Sequence, residues 1–334
     1  MTPEKKKKIR KIIIITSISV ISFYILGGVV ASFIVNDVVF KDKVTNNGVL
    51  QSSVAFYKTQ KDYPLLSERQ EHTFKSGKNT LCGYYYDVSE DKGLVIFAHG
   101  LSNYSDDCNA QMHNYFVELG YDVFAIDLTG SGKSTGRTTI GLHQSAYDIK
   151  SAYNYLKDNN LLKDNLILCG HSWGAYGSVI ASSIGVKTDK VIAFSAYNCP
   201  IDMMHEIAKQ QVGFLADLNY PTYALGNLFE FGGKPFKKAT DAIKKSDANY
   251  LIIQGREDYV LTENTSLYKK VKDYDNVTPL LLESVGHSYP WLSTSSISYL
   301  NDLEKYYQPG MEIDIERSSK ISTIVDSAIK DFLK

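Results

Sequence analysis

Asn165-Leu166-Ile167-Leu168-Cys169-Gly170-His171-Ser172-Trp173-Gly174-Ala175-Tyr176-Gly177-Ser178 is the stretch from which the rest of this chain is read. Leu166 to Cys169 is a short apolar run, a serine follows between Gly170 and Gly174, and Ala175 to Ala181 has the pattern of a helix. On its own, G-x-S-x-G is a loose pattern; between a strand and a helix it marks a sharp turn that presents a serine as a nucleophile. The residue types suit that turn. The serine sits in strained backbone, and the two glycines remove the β-carbons that would collide where strand and helix approach. The turn lifts the Ser172 hydroxyl above the carboxyl edge of a sheet, with the amides of the following helix facing whatever it attacks.

Working outward, the same alternation recurs on both sides. Thr80 to Val88 reads as a strand after the Lys75–Asn79 turn, and Leu94 to Ala98 as a continuous apolar strand of a sheet covered on both faces. Asp107 to Leu119 reads as a helix closed by Gly120, Asp122 to Asp127 as a strand, Leu142 to Leu156 as a helix and Lys190 to Ser195 as a strand. The pattern returns with strands at Tyr250–Gln254 and Pro279–Glu283, then helices at Ser293–Tyr306 and Ser319–Leu333. This spacing predicts an α/β chain with a doubly wound, mostly parallel sheet. The alternation stops between Tyr197 and Ser246, a helical stretch rich in Met203, Met204, Phe214, Tyr220, Phe229 and Phe236. Inserted between two strands, it is expected to form a cap that shapes the substrate pocket, with Gly213, Gly226 or Gly232-Gly233 as candidate hinges.

Lys5 to Lys8, Arg10 and Lys11 stand directly before Ile12 to Val35, about two dozen residues without a charge. At about 1.5 Å per residue that run spans a hydrocarbon core of ~30 Å. A cleaved signal peptide is the rival, with Val29-Val30-Ala31 as its site, but the run exceeds the roughly 7–15 residues of such a segment. The chain therefore divides into a cytoplasmic basic tail (1–11), a transmembrane anchor (12–35), a stalk and lead-in helix (36–76) and a domain (77–334) with its cap at 197–246. The basic flank keeps the N-terminus cytoplasmic and places the domain outside the cell membrane.

A serine cannot attack at neutral pH without a base, and the base needs an orienting carboxylate. Both stand just past strand ends, in the order serine, acid, histidine. Gln254-Gly255-Arg256-Glu257-Asp258 offers Asp258 as the acid, with Glu257 as its rival, and Ser284-Val285-Gly286-His287 offers His287 as the base. A tetrahedral oxyanion needs backbone donors. The Trp173 amide is one candidate, and the Leu101 amide, in the His99-Gly100-Leu101 loop, is the other. His99 itself reads as a structural residue beneath that loop.

Together, His99-Gly100, Asp127-Leu-Thr-Gly130-Ser-Gly132-Lys-Ser134, Gly170-His-Ser172-Trp-Gly174, Asp258 and Gly286-His287 resemble the α/β-hydrolase superfamily. Within it the chain is most similar to the serine aminopeptidase/monoacylglycerol-lipase-like branch and its membrane-anchored bacterial relatives. The resemblance runs from about Thr80 to the C-terminus. It implies an α/β-hydrolase fold, a Ser172–Asp258–His287 triad, an acyl-enzyme, and no metal or organic cofactor. The chain departs from the family in carrying Leu128-Thr129 where an arginine is usual. Its cap carries no motif assignable to a substrate.

Composition narrows the rest. The 334 residues carry a formal net charge of −1, and no basic stripe interleaves with aromatics, so nucleic acid is not an expected partner. Cys82, Cys108, Cys169 and Cys199 are far apart and form no C-x-x-C pair, which predicts neither a disulfide framework nor a zinc site. Gly132-Lys133-Ser134 lacks the upstream glycine of a phosphate loop, because Asp127 stands there. His99, His113 and His143 lack metal-ligand spacing, and the sequons at Asn103 and Asn264 are chance-level matches. The expected partners are a small-molecule ester or short peptide and the bilayer around residues 12–35; oligomeric state is open. Hydrolysis of an ester of small or medium acyl chain is the leading expectation. A peptidase is the alternative, and needs Asp202, Glu206, Asp217 or Glu230 to receive the substrate's ammonium. A transferase or thioesterase, and a non-catalytic binding protein on the same scaffold, complete the field.

Overall fold

The computed structural model describes residues 1–40, 60–88, 90, 92–101, 105–308 and 311–334. Its first element is the helix α1 (Pro3–Phe40), which carries the charge-free run and continues five residues beyond Val35. Residues 1–27 are all exposed, and this is a helix long and apolar enough to cross a membrane. The turn expected near Val44–Gly48 and much of the stalk lie outside the described residues.

Eight strands form one sheet: β1 (Gln70–Ser76), β2 (Asn79–Tyr86), β3 (Leu94–Ala98), β4 (Asp122–Asp127), β5 (Leu166–His171), β6 (Lys190–Phe194), β7 (Asn249–Gly255) and β8 (Val277–Leu282). Their order is β1-β2-β4-β3-β5-β6-β7-β8. β2 is antiparallel to β1 and β4, and all pairs from β4 to β8 are parallel. The apolar runs follow from burial on both faces, with alternate residues entering opposite cores. Leu94, Ile96, Leu166 and Leu168 join one core, beneath α3 (Gln144–Asp158) and α4 (Trp173–Ala181). Val95, Phe97, Ile167 and Cys169 join the other, beneath α2 (Ser105–Glu118), α9 (Thr294–Tyr306) and α11 (Thr323–Leu333).

Between β6 and β7 the chain leaves the sheet as α5 (Pro200–Val212), α6 (Phe214–Phe231), a short 3-10 turn (Lys234–Phe236) and α7 (Ala239–Ile243). Between β7 and β8 lies α8 (Leu267–Val271), and between α9 and α11 lies α10 (Ile315–Ser319). At the base of the excursion Tyr197 stacks on Tyr176 of α4, with ring centroids 4.6 Å apart, and its hydroxyl donates to the Leu142 carbonyl (3.0 Å).

Three expectations need correction. The lead-in to the domain is not a helix: Gln70–Ser76 is an edge strand, so the sheet begins seven residues before the boundary drawn at 77. The helix expected at Ser319–Leu333 is broken, because Ile321 bridges to Leu292 and only from Thr323 does α11 run. Gly226 is no hinge: it lies buried within α6 against Ser32. Gly213 and Gly232, at φ 59° and 65°, do end helices.

Candidate active site

Ser172 stands between the end of β5 and the start of α4 with φ 51°, a conformation that non-glycine residues adopt only under constraint. The constraint is visible. Its amide donates to the Phe194 carbonyl of the adjacent strand (2.8 Å), and its carbonyl accepts from Tyr176 in the first turn of α4 (3.0 Å). A β-carbon on Gly170 would lie 2.5 Å from the Gly174 carbonyl carbon, and one on Gly174 would overlap the Ala98 carbonyl at the end of β3. Only glycine fits either position, so the turn can be this tight.

The loops after β7 and β8 bring the two expected partners to the serine. His287 Nε2 lies 3.0 Å from Ser172 Oγ, and His287 Nδ1 lies 2.8 Å from Asp258 Oδ2. Asp258 Oδ1 accepts the amides of Val260 and Leu261 (both 2.9 Å), and Oδ2 also accepts Gln254 Nε2 (2.9 Å). Burial alone would raise the Asp258 carboxyl. The hydrogen bond and charge of His287, the Leu261 amide and Gln254 outweigh it and hold the group below its usual value. Glu257, the rival acid, points its side chain to solvent. A β-carbon on Gly255 would overlap the Val285 carbonyl, so the close approach of the acid loop to the histidine loop requires glycine there.

The residues expected to supply the oxyanion donors lie on the two segments that meet at the serine. Trp173 is the first residue of α4, where amides have no acceptor within the helix. Its indole donates to the Leu142 carbonyl (3.1 Å), fixing the residue from the side. Leu101 follows Gly100, whose hypothetical β-carbon would lie 3.5 Å from Ser172 Cβ and 2.8 Å from His171 Nδ1. Glycine therefore lets this loop reach the nucleophile. His99 holds the loop from below: Nδ1 donates to the Gly100 carbonyl (2.6 Å) and Nε2 accepts the Leu128 amide (3.0 Å). Burial lowers its pKa to about 4, so it is neutral at pH 7.

Two contributors were given no role by the sequence, although one of them, His171, stands at a variable position of the serine turn. His171 Nε2 donates to the His287 carbonyl (2.8 Å), and the rings lie 5.1 Å apart. Burial lowers His171 to about 3, so its ring is neutral at pH 7. Gln254 orients Asp258 and takes a hydrogen bond from Ser266 on Oε1 (3.4 Å). A polar residue at the end of an otherwise apolar strand was its only signal in the sequence.

The loop after β4, where Leu128-Thr129 replaces the usual arginine, is held by Asp148 of α3. Its carboxylate accepts the Thr129 amide (2.8 Å), the Thr129 hydroxyl (3.0 Å), Ser76 Oγ (2.7 Å) and Gln144 Nε2 (2.8 Å), all buried. Removing it would leave several buried donors without an acceptor, at ~1–3 kcal/mol each. Asp148→Ala should therefore lower stability by roughly 3 kcal/mol or more in urea unfolding. A loss below 1 kcal/mol would show that water replaces the carboxylate.

Comparison with known proteins bears on the fold of the domain. Residues 89–228 match the family model described as serine aminopeptidase, S33. The esterase Pf2001 of Pyrococcus furiosus has the same architecture, with a TM-score of 0.54 at 19% identity over 74% of this chain and 92% of its own. The domain has the α/β-hydrolase fold. Est1E of Butyrivibrio proteoclasticus, solved with ferulic acid bound, matches the same fold with a TM-score of 0.51 at 17% identity, over 70% of this chain and 96% of its own. The multifunctional-autoprocessing repeats-in-toxin of Vibrio vulnificus is 30% identical over 118 residues, which are 32% of this chain and 2% of the toxin. The chain thus spans a small fraction of the curated relatives it matches.

Proposed function

We propose that this chain is a serine hydrolase that cleaves carboxylic esters of small or medium acyl chains through an acyl-enzyme on Ser172. The observation that carries the reading is the continuous relay Ser172 Oγ–His287 Nε2 (3.0 Å) and His287 Nδ1–Asp258 Oδ2 (2.8 Å), with the serine at φ 51°. His287 takes the Ser172 proton as Oγ adds to the ester carbonyl, and the oxyanion falls to the amides of Trp173 and Leu101. His287 then protonates the leaving alkoxide as the carbon–oxygen bond breaks. Water, deprotonated by the same imidazole, hydrolyses the acyl-serine and returns the proton. Asp258 stays ionised and holds Nδ1–H, so Nε2 is the free base.

Of the four cap carboxylates that a peptidase could offer to the substrate's ammonium, Glu206 of α5 is half-buried with no side-chain partner among the described residues and keeps that alternative open, whereas the other three are engaged. Asp217 is shared by Lys209 (3.1 Å) and His205 (3.0 Å). Glu230 is held by Asn36 (2.7 Å), and Asp202 accepts the Tyr220 hydroxyl (3.3 Å). Topology completes the proposal: α1 anchors the domain in the cell membrane, with the basic residues before Ile12 on the cytoplasmic side.

The full chain in lipid nanodiscs should react with a fluorophosphonate probe, and labelling should vanish in Ser172→Ala. A panel of p-nitrophenyl esters and aminoacyl-nitroanilides then separates the substrates, with turnover expected for the esters. Labelling that persists in Ser172→Ala would overturn the nucleophile, and turnover confined to anilides would replace the esterase by a peptidase.

A further inference from the structure

The anchor and the cap are packed together. The outer half of α1 lies along α6, and both helices run in the same direction. The Tyr24 hydroxyl donates to the Leu218 carbonyl, and Gly28 approaches Thr222 so closely that a β-carbon would overlap it. Gly226 meets Ser32 in the same way, and Asn36 donates to Asn227 (3.2 Å) and Glu230 (2.7 Å). Residues four apart on α1 (Gly28, Ser32, Asn36) thus meet residues four apart on α6 (Thr222, Gly226, Glu230). Small residues at this spacing let two helix backbones close on each other, as they do within membranes.

This register fixes depth. From Asn36 back to Tyr24, α1 descends about 18 Å beside α6. Below Tyr24, α6 runs one further turn to Phe214, level with Val20, so only Ile12 to Ser19 stand clear of it, about 12 Å of helix, whereas a hydrocarbon core needs ~30 Å. An α1 that spans while docked as it is carries α6 into the outer part of the core. The surface α6 presents there is apolar. Phe214, Leu218 and Phe229 are 75%, 57% and 69% exposed, and with Pro221, Leu225 and Leu228 they fall within an arc of about 100° beside the α1 contact. Polar groups gather at the opposite end, where Asn36, Asp37, Arg137 and Glu230 line a small cavity at the level of the headgroups. Near the tip of the α5–α6 hairpin, Lys209 and Asp217 are paired rather than bare, and Gln210 turns to the domain, donating to the Tyr259 carbonyl (3.0 Å).

We propose that α6 sits in the bilayer beside α1, from the outer face to about the midplane, with the Phe214–Leu218–Phe229 stripe against lipid acyl chains. Cap and anchor then form one membrane-inserted pair. The inference rests on α1 spanning the membrane and is independent of the reaction.

Tryptophan reports it directly, because the native Trp173 and Trp291 are fully buried and give a quiet background. In vesicles of phosphatidylcholine and phosphatidylglycerol, the full chain carrying Phe214→Trp should lose most of its added emission to brominated lipid and none to iodide. Phe229→Trp, one helix end higher, should be quenched more by lipid brominated near the headgroup, and Phe214→Trp more by lipid brominated near the chain end. Tyr306→Trp, on α9, should respond to iodide alone. Iodide quenching of Phe214→Trp would overturn the proposal, and so would protection from both quenchers, which would mean a second protein surface covers the stripe. Ile15→Trp, on the part of α1 below the start of α6, reports the span apart from the docking. If lipid quenches it but not Phe214→Trp, α1 spans and the cap lies outside; if lipid fails to quench it, the span and the proposal fall together.

Discussion

His287→Ala should lower kcat for an activated p-nitrophenyl ester by on the order of 10^6, and Asp258→Asn by about 10^4. The two differ because they remove different things. Without the imidazole no other base among the described residues is hydrogen-bonded to Ser172 Oγ, as His287 Nε2 at 3.0 Å is the neighbouring base. His171, the other nearby imidazole, is engaged through Nε2 with the His287 carbonyl. Asp258→Asn keeps the shape of the side chain but offers an amide where Nδ1–H now finds a carboxylate oxygen, which favours the wrong tautomer. The Val260 and Leu261 amides, both 2.9 Å from Oδ1, would keep an oxygen on their side and leave the amide nitrogen facing His287. A loss below tenfold for His287→Ala, in protein with unchanged near-ultraviolet circular dichroism, would place the base elsewhere. The Asp258 carboxyl also has a stability signature. Its folded pKa is depressed from 3.8, so its contribution is complete above that value and lost only as pH falls through the lower folded one.

The nucleophile turn was legible because its determinants are local: a strand, two glycines and a helix within some fifteen residues. Buried parallel strands were legible for the same reason, since a strand covered on both faces must be apolar at every position, as Leu94–Ala98 and Leu166–Cys169 are. Gln70–Ser76 was not legible. It is an edge strand of polar residues in which only Phe74 and Ser76 are buried, and pairing with β2 makes it a strand rather than any pattern of its own. The break before α11 was missed likewise, since the Ile321–Leu292 bridge joins residues distant in sequence. In the site, serine, acid and histidine could be read from their order past strand ends, whereas Gln254, His171 and Asp148 could not. Each acts through a hydrogen bond to one specific atom, and a buried polar residue carries no periodic signal. The α1–α6 contact joins segments about 190 residues apart through glycines and small polar side chains. In the sequence these look like ordinary members of an apolar run.

Stability should fall steeply as pH drops from about 6.5 towards 4, because four histidines are held neutral by burial. His99 and His143 are lowered to about 4, and His113 and His171 to about 3, in each case chiefly by desolvation of the ring. The sign follows from proton counts. Between the ordinary value of 6.5 and these lowered ones, the unfolded chain binds protons that the folded chain refuses, so acid favours unfolding. At pH 5 each imidazole costs about 2 kcal/mol, and four together consume much of the ~5–15 kcal/mol available to a domain. The depressed carboxyl of Asp258 acts only below this window, so the two effects separate along the pH axis. Urea unfolding in nanodiscs at pH 7.5, 6 and 5 should show a falling midpoint with little change in slope. His143→Gln isolates one group: its amide can still donate to the Tyr176 hydroxyl, which now lies 2.8 Å from His143 Nδ1, but it does not titrate. The variant should reduce the pH dependence by about one proton, or ~1.4 kcal/mol per pH unit between pH 6 and 5. An unfolding free energy that stays level from pH 7.5 to 5 would mean these rings take up protons inside the folded domain. His99 would then become a cation beneath the Gly100–Leu101 loop, and its acceptance of the Leu128 amide at Nε2 would be lost, loosening the strand end that approaches Ser172.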